Sequence, residues 1–196
     1  MAGLDNLAIV VRIGMSLTTN AQCRLAGYQT GWFIADDVDF GLDNKSLGSD
    51  SEEIDSNNVD FDILKIKKDI DPCTPQLLSA CCQNGGYSSA EIHYVQTFYR
   101  TETGEGSNPG GVSPIFIARF ENIGVVNWEL EGNETNHPKE TIKLRYQSIA
   151  VGWVNQKDGT VIGKGWTKVD GSGTSAKPTQ SGEPWDYFFK ARGRLG

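Results

Sequence analysis

The chain has 196 residues, of which 38% are hydrophobic and 22% are charged, and its formal net charge is −7. A chain of this length forms one core without disulfide or metal support, and its scattered glycines favour many short elements joined by turns. The composition excludes collagen, a coiled coil and wholesale disorder. The negative charge argues against binding to nucleic-acid phosphates or to anionic lipid headgroups.

The charge is unevenly distributed along the chain. Residues 1–72 contain 6 basic and 13 acidic side chains, whereas residues 139–196 contain 10 basic and 5 acidic ones. An acidic N-terminal part and a basic C-terminal part suit head-to-tail self-association between copies of the chain. Two separate solvated surfaces would explain the same counts.

The first apolar run, residues 7–11, is too short for the hydrophobic region of a signal peptide and follows Asp5 rather than a basic residue. No stretch approaches the roughly 20 apolar residues that a bilayer-spanning helix needs. We therefore expect a protein made in the cytoplasm without a cleaved signal peptide and without membrane insertion.

Strand signals dominate the chain. Val126, Trp128 and Leu130 alternate with polar residues, which is the period of a half-buried antiparallel strand. Further strands are predicted near residues 7–13, 31–40, 59–67, 90–100 and 114–121. We interpret Trp128 and Trp153 as core residues because each continues an apolar strand face.

A second alternating segment changes parity. Its apolar positions are even up to Tyr146 and odd from Ile149 to Trp153. Such a change inside one strand indicates a bulge or a sharp bend. After it, Asp158 and Gly159 have the composition of a hairpin turn.

One short helix is predicted between the strands. Thr74 is a suitable N-cap, Pro75 suits the first helical position, and Gly85 can end the helix. Leu77 and Cys81 lie four residues apart on one face. A helix of about 10 residues is too short to be stable alone, so it must pack on the sheet.

Two long polar connections and a C-terminal extension complete the organisation. Residues 41–58 are acidic, and residues 101–113 are rich in glycine. We divide the chain into a domain at residues 1–171, which contains both loops, and an extension at residues 172–196. The extension carries aromatic side chains that should dock on their own core or on a neighbouring subunit, namely Trp185, Tyr187, Phe188 and Phe189.

No reactive or ligand-binding motif is complete. Pro109 replaces a glycine of the dinucleotide fingerprint, and Gly165 stands where a phosphate loop has Ser or Thr. His93 in a strand and His137 in a loop have no nucleophile nearby. The acidic residues 36–55 lack a calcium-loop pattern, and Glu129 and Glu131 lie on the polar face of a strand. The cysteines lack metal spacing and are interpreted as reduced and structural, namely Cys23, Cys73, Cys81 and Cys82. We predict no enzyme activity, no metal and no cofactor.

Residues 59–71 form a predicted strand that ends in Lys-Lys-Asp-Ile-Asp, and Thr74 and Pro75 then begin a helix with the paired leucines Leu77 and Leu78. This order of motifs resembles the central part of the hemolysin-coregulated protein (Hcp) family, the tube subunits of type VI secretion systems. Residues 31–41, 98–101, 120–123 and 140–149 resemble other strands of the family, in the expected order. The acidic 41–58 insertion, the 101–113 loop, the pair Cys81 and Cys82, and the extension after Gly171 depart from it.

The resemblance implies a mainly β fold, a small antiparallel barrel or sandwich with one docked helix. It also implies a homohexameric ring that stacks into a hollow tube, holds effector proteins in its lumen, and works with a spike protein, a contractile sheath and a baseplate. The family's loop between the early strands contacts the next ring. Its counterpart here contains the acidic residues that we expect to take part in ring stacking, namely Asp43, Asp50, Glu52, Glu53 and Asp55.

Two other interpretations stay open at this point. A tail-tube protein of a phage-like or extracellular contractile particle would share the fold. A monomeric carbohydrate-binding β-sandwich module would use exposed tryptophans instead of assembling.

Overall fold

In a computed structural model of the chain, residues 6–14, 16–44, 59–97, 112–155, 161–169 and 175–178 are described. They form one helix, α1 (Thr74–Gln83), and twelve strands. The strands are β1 (Asn6–Ile13), β2 (Phe33–Ala35), β3 (Asp37–Asp39), β4 (Leu42–Asn44), β5 (Val59–Phe61), β6 (Leu64–Asp69), β7 (Gly86–Thr97), β8 (Val112–Asn133), β9 (Asn136–Arg145), β10 (Ser148–Val154), β11 (Val161–Val169) and β12 (Ser175–Pro178).

Antiparallel pairings link the strands into a barrel. β1 pairs with β7, β7 with β8, β8 with β9, and β9 with β6. The circuit closes through β2, which pairs with β1, and β3, which pairs with β6. Asp36 joins these two short strands, and its N–H donates to the Lys67 carbonyl at 2.8 Å. β10, β11 and β12 extend the sheet from the first half of β8. The predicted mainly β fold with one helix is thus confirmed.

The long strand β8 pairs with two different strands along its length. Up to Gly124 it pairs with β7, and from Gly124 onward it pairs with β9. Asn122 lies at this change with a left-handed backbone, φ 51°. On its two sides the positions that belong to the main core change from even, at Ala118 and Phe120, to odd, at Ile123 and Val125. The sequence predicted two separate strands here, but one bent strand is present.

The parity change near Ser148 was therefore misinterpreted. Tyr146 and Gln147 separate β9 from β10, so the change falls between two strands and not at a bulge inside one. The bulges of this region lie in the β8–β9 pairing, where Val126 has no register partner between Val125 and Asn127. Val126, at the bulge, is exposed, and so is Leu130, so that only Trp128 of the predicted apolar face packs against the core.

The barrel interior is aliphatic and aromatic. Its fully buried large side chains come from β1, β6, β7, β8 and β9 and include Ile13, Ile66, Ile92, Phe120, Ile142 and Leu144. A second, smaller cluster covers the outer face of β1 and β7, where residues 16–32 lie across Val10 and Val95 and bring in Tyr28 and Trp32. Full burial of such side chains stabilises the fold by about 1.5–3 kcal/mol each.

The helix packs on the barrel through Leu77 and Ala80, which are buried, and Cys81, which packs against the core. Its boundaries differ slightly from the prediction. Cys73 is the N-cap residue, without a side-chain cap, and Asn84 takes the left-handed position at the end with φ 50°. Thr74 is not the cap because its hydroxyl bonds instead to Glu140 in β9, a contact that local sequence does not reveal.

Two other residues lie elsewhere than predicted. Trp153 was interpreted as a core residue, yet 52% of it is exposed because β10 runs past the end of the barrel interior. His137 was placed in a loop, but it lies in β9. The turn at Asp158 and the aromatic residues 185–189 of the extension lie outside the described residues, although β10 and β11 do pair as predicted.

Candidate functional site

The acidic connection, residues 41–58, begins with β4 and leads into β5, and these two strands form a short ribbon. β4 and β5 pair with each other, with Leu42 opposite Phe61 and Asp43 opposite Asp60. At the base of the ribbon the Gly41 carbonyl accepts the Asp62 N–H at 3.1 Å and the Tyr146 hydroxyl at 3.3 Å. The hydrogen bond from Tyr146 therefore ties the ribbon to the chain between β9 and β10.

A stack of aromatic rings holds the ribbon on the core. The ring centroids are 5.2 Å apart for Phe40 and Phe120, 4.8 Å for Phe120 and Tyr146, and 5.5 Å for Tyr146 and Phe61, and each pair is packed edge to face. Such pairs contribute about 0.5–1.5 kcal/mol each beyond their buried area. Burial raises the pKa of the Tyr146 hydroxyl, and the charge of Asp62 raises it further. The acidic connection thus leaves the barrel from a fixed base.

Of the five residues predicted for ring stacking, Asp43 alone falls within the described chain, where it is exposed on β4. Asp50, Glu52, Glu53 and Asp55 lie outside the described residues. Their assignment to ring stacking stays a prediction.

A buried ionic network joins the helix to the barrel. The Lys68 ammonium lies 2.7 Å from Glu140 Oε1 and 3.0 Å from Asp71 Oδ1, and it donates to the Asp69 carbonyl at 2.9 Å. Glu140 also accepts hydrogen bonds from the Thr74 hydroxyl at 2.7 Å and from Trp128 Nε1 at 2.6 Å. Both charges are fully buried, so each depends on these partners for its solvation.

Sequence reasoning missed this network, although a signal for it was present. Leu64, Ile66 and Lys68 share one parity in β6, and the first two are buried. Alternation therefore placed the Lys68 side chain inside the barrel, where a charge requires a partner of opposite sign. The partner, Glu140, lies directly opposite Lys68 in β9, and no local pattern gives that pairing.

The outer face of β6, β9 and the second half of β8 carries a group of exposed ion pairs. The distance from the lysine Nζ to the nearest carboxylate oxygen is 2.8 Å for Lys143 and Glu129, 2.7 Å for Lys67 and Glu131, and 2.6 Å for Lys139 and Asp36. The hydrogen bond from Lys143 lowers the pKa of Glu129, and the hydrogen bond to Asp36 raises the pKa of Lys139. Glu129 and Glu131 thus lie on a solvated polar face, as predicted.

The second half of β8 also forms an open sheet edge. From Val125 to Asn133 its only pairing among the described strands is with β9. Val126 and Leu130 are 38% and 55% exposed along it. An edge that combines unpaired backbone with apolar side chains is suited to contact with another chain.

Three of the groups considered for chemistry, His93, Cys23 and Cys73, are buried. His93 is buried in β7, where its Nδ1 lies 3.0 Å from the Tyr28 hydroxyl and its ring lies 4.7 Å from that of Trp32. Cys23 and Cys73 are buried, and burial raises the pKa of both thiols. Within the described part of the chain, no group of three or more His, Cys, Asp or Glu side chains could hold a metal ion.

The three tryptophans whose side chains are described, Trp32, Trp128 and Trp153, do not form a platform for sugar stacking. Trp32 is buried beneath the Arg12 guanidinium, which lies 4.9 Å from its ring centroid. Trp128 is half-buried and donates to Glu140, which leaves Trp153 as the one exposed tryptophan among those three.

The fold is that of known type VI secretion proteins. A structure described as a type six secretion system protein is 15% identical, with a TM-score of 0.65, over 88% of this chain and all of the other. A type VI secretion system effector from Yersinia pestis is 13% identical, with a TM-score of 0.59, over 81% of this chain and 98% of the other. Hcp1 from Salmonella typhimurium is 16% identical, also with a TM-score of 0.59, over 86% and 96%.

These likenesses define an Hcp-like β-barrel protein. The profile of the family described as "Type VI secretion system effector, Hcp" matches residues 25–153, well over half of the chain. The chain therefore belongs to the Hcp family, and the resemblance found in its sequence is confirmed. A search of curated protein sequences gave no significant match.

The one helix in the described part of the chain, α1, does not qualify as a membrane-spanning helix.

Proposed function

We propose that this chain is a structural tube subunit of a type VI secretion system, with six copies forming a ring and the rings stacking into a hollow tube. The tube carries effector proteins, acts with a spike protein, a contractile sheath and a baseplate, and is secreted. The observation that carries the proposal is the family match over residues 25–153. No residue is assigned a catalytic role.

The surfaces of the barrel support assembly. Among the described strands, the second half of β8 pairs only with β9, and Val126 and Leu130 are exposed along its other edge. An isolated protein usually blocks such an edge because it invites pairing with other chains. In a closed ring, each subunit can cover the edge of the next one.

The aromatic base of the β4–β5 ribbon supports a stacking role for residues 41–58. Because Phe40, Phe61 and Tyr146 fix this base on the core, the acidic connection leaves every subunit of a ring in the same direction. Its negative charge complements the basic residues 139–196 of a subunit in the next ring.

Ring formation is tested by light scattering and negative-stain imaging of the purified chain. We expect rings of six subunits, about 80–90 Å wide for domains of this size. A single-chain particle at every protein and salt concentration would overturn the proposal. Leu130→Glu is expected to weaken the ring by burying a charge at the edge of β8, and Ile70→Glu, at another exposed apolar position, is its matched control.

Stacking is tested separately by charge reversal of Asp50, Glu52 and Glu53 to Lys. We expect intact rings but fewer or shorter tubes, most clearly at low salt where the attraction is least screened. The neutral variant Asp50→Asn/Glu52→Gln/Glu53→Gln is the control and should have an intermediate effect. Normal tubes from the Lys variant would show that this loop does not stack rings through its charge.

A further inference from the structure

An apolar strip crosses the sheet and becomes exposed at its β10–β11 end. Ile9, Tyr94, Phe116, Trp153 and Ile162 are successive register partners on β1, β7, β8, β10 and β11. Directly opposed residues of an antiparallel sheet point to the same face, so these five side chains form one row. The first three pack against the barrel core, whereas Trp153 is 52% and Ile162 71% exposed.

The exposed end of this strip is unusual in its composition. Both side chains are large and apolar, and they lie directly opposite each other on neighbouring strands. Scattered exposed apolar residues need no explanation, but a contiguous pair that continues a core face indicates that another segment covers it.

The chain beyond Pro178 starts beside this strip. β12 pairs antiparallel with β11, with Ser175 opposite Val169 and Pro178 opposite Trp166. The direction of β12 therefore leads towards the start of β11. On β11, Trp166 and Ile162 are four residues apart, which corresponds to roughly 13 Å along a strand.

The remaining 18 residues are long enough to reach the strip and have the composition to cover it. The seven positions from 179 to 185 span up to roughly 23 Å when extended, which exceeds the distance required. Residues 185–189 contain Trp185, Tyr187, Phe188 and Phe189. Each aromatic side chain buries about 150–250 Å² when it packs, so leaving all four in water is unfavourable.

We propose that residues 185–189 dock in cis on the strip formed by Phe116, Trp153 and Ile162 of the same chain. The short path from Pro178 favours the chain's own strip over that of a neighbour, because the two are already connected at a high effective concentration. The extension then closes the exposed end of the core face. This proposal concerns a single chain and does not depend on ring formation, so the two can fail independently.

Photo-crosslinking tests the contact directly. The photoreactive residue p-benzoylphenylalanine is placed in the full-length chain at position 162, or at position 34 as the control. Ile34 is also exposed, but it pairs with Val10 on the opposite face of the sheet. We expect the position-162 probe to react with the peptide that contains residues 185–189, and the position-34 probe not to react with it. Crosslinks to another segment, or equal crosslinking from both positions, would overturn the proposal.

A mixture of isotopically heavy and light chains separates contact within one chain from contact between chains. Crosslinked peptides of purely light or purely heavy composition support docking in cis. Mixed pairs at the frequency expected for random association would show that the extension crosses to a second copy, which contradicts the proposal.

Hydrogen exchange provides a readout that needs no probe in the strip. Trp185→Ala/Phe188→Ala/Phe189→Ala is expected to accelerate amide exchange in β10 and β11 roughly tenfold, because these strands lose their cover. Lys190→Ala/Arg192→Ala, which leaves the aromatic residues in place, should not change it. Unchanged exchange in the aromatic variant would contradict docking on this face.

Discussion

Lys68 and Glu140 face each other from neighbouring strands with 2.7 Å between Nζ and Oε1, and neither side chain is accessible to solvent. Around them Thr74, Asp71 and Trp128 complete the set of hydrogen bonds, so the start of α1, the end of β6, and β8 are all tied to the same carboxylate. The pair fixes where the helix sits on the barrel. Its energetic value depends on both partners being present.

Removing one charge of this pair should be more costly than removing both. Lys68→Met leaves the Glu140 carboxylate buried without its cation, and we expect the free energy of unfolding to fall by about 3 kcal/mol. The double variant Lys68→Met/Glu140→Gln should recover a large part of that loss, because no uncompensated charge remains. Denaturant unfolding of the three proteins measures the difference.

The exposed pair of Lys143 and Glu129 is the control for this experiment. Lys143→Met should change stability little, because solvent screens the charge that remains. If Lys68→Met had an equally small effect, the buried pair would not be what holds the helix in place.

Alkaline pH should destabilise the fold through Tyr146. Its ordinary pKa is 10.0, and burial raises the pKa in the folded chain. The stabilisation from the neutral phenol is therefore fully present below pH 10 and is lost as the pH rises towards the folded pKa, because only the unfolded chain then releases the proton. One such group lowers the free energy of unfolding by about 1.4 kcal/mol per pH unit in that range.

The variant Tyr146→Phe isolates this contribution. It loses the hydrogen bond to the Gly41 carbonyl and should be about 1 kcal/mol less stable at pH 8. Above pH 10 its stability should decline less steeply than that of the parent chain, as measured by urea unfolding from pH 8 to 11. Parallel curves would show that Tyr146 ionises equally in both states.

The bend of β8 should depend on the left-handed backbone of Asn122. Glycine adopts φ 51° without strain, whereas this conformation destabilises alanine by about 1 kcal/mol and a β-branched residue by more. Thermal unfolding should therefore rank Asn122→Gly close to the parent, Asn122→Ala below it and Asn122→Val lowest. The side chain is exposed and donates to Gln147 at 3.2 Å, so little packing is lost in any variant. Equal stability of the Ala and Val variants would show that the bend does not require this conformation.

The sequence predicted those elements whose signal is local. Alternation located most strands because one face of each is buried, and Pro75 with the spacing of Leu77 and Cys81 located the helix. The family was also recognisable, since its motifs lie in short continuous segments. The length of β8 was not predictable, because one left-handed residue continues a strand across a point where the parity reverses.

Other features depend on contacts between distant residues. Thr74 was predicted as a helix cap, but its hydroxyl bonds to Glu140, 66 positions later in the chain. Trp153 has the pattern of a core residue, yet its exposure depends on where the barrel interior ends. At the candidate site, the acidic connection was recognisable from composition alone. The aromatic stack beneath it was not, since Phe61, Phe120 and Tyr146 meet only in the folded chain.

The four cysteines should differ sharply in reactivity. Cys23 and Cys73 are buried and burial raises the pKa of both thiols, so each is inaccessible and protonated at neutral pH. Cys82 is exposed on α1, whereas Cys81 beside it is half-buried against the core. At pH 8 the native chain should react with iodoacetamide first at Cys82, and Cys23 and Cys73 should react at least 100-fold more slowly, at a rate limited by unfolding. Mass spectrometry of the labelled peptides measures each site, and Cys82→Ser should abolish the fast phase. Fast labelling of Cys73 in the native chain would contradict the buried position that the barrel assigns to the start of the helix.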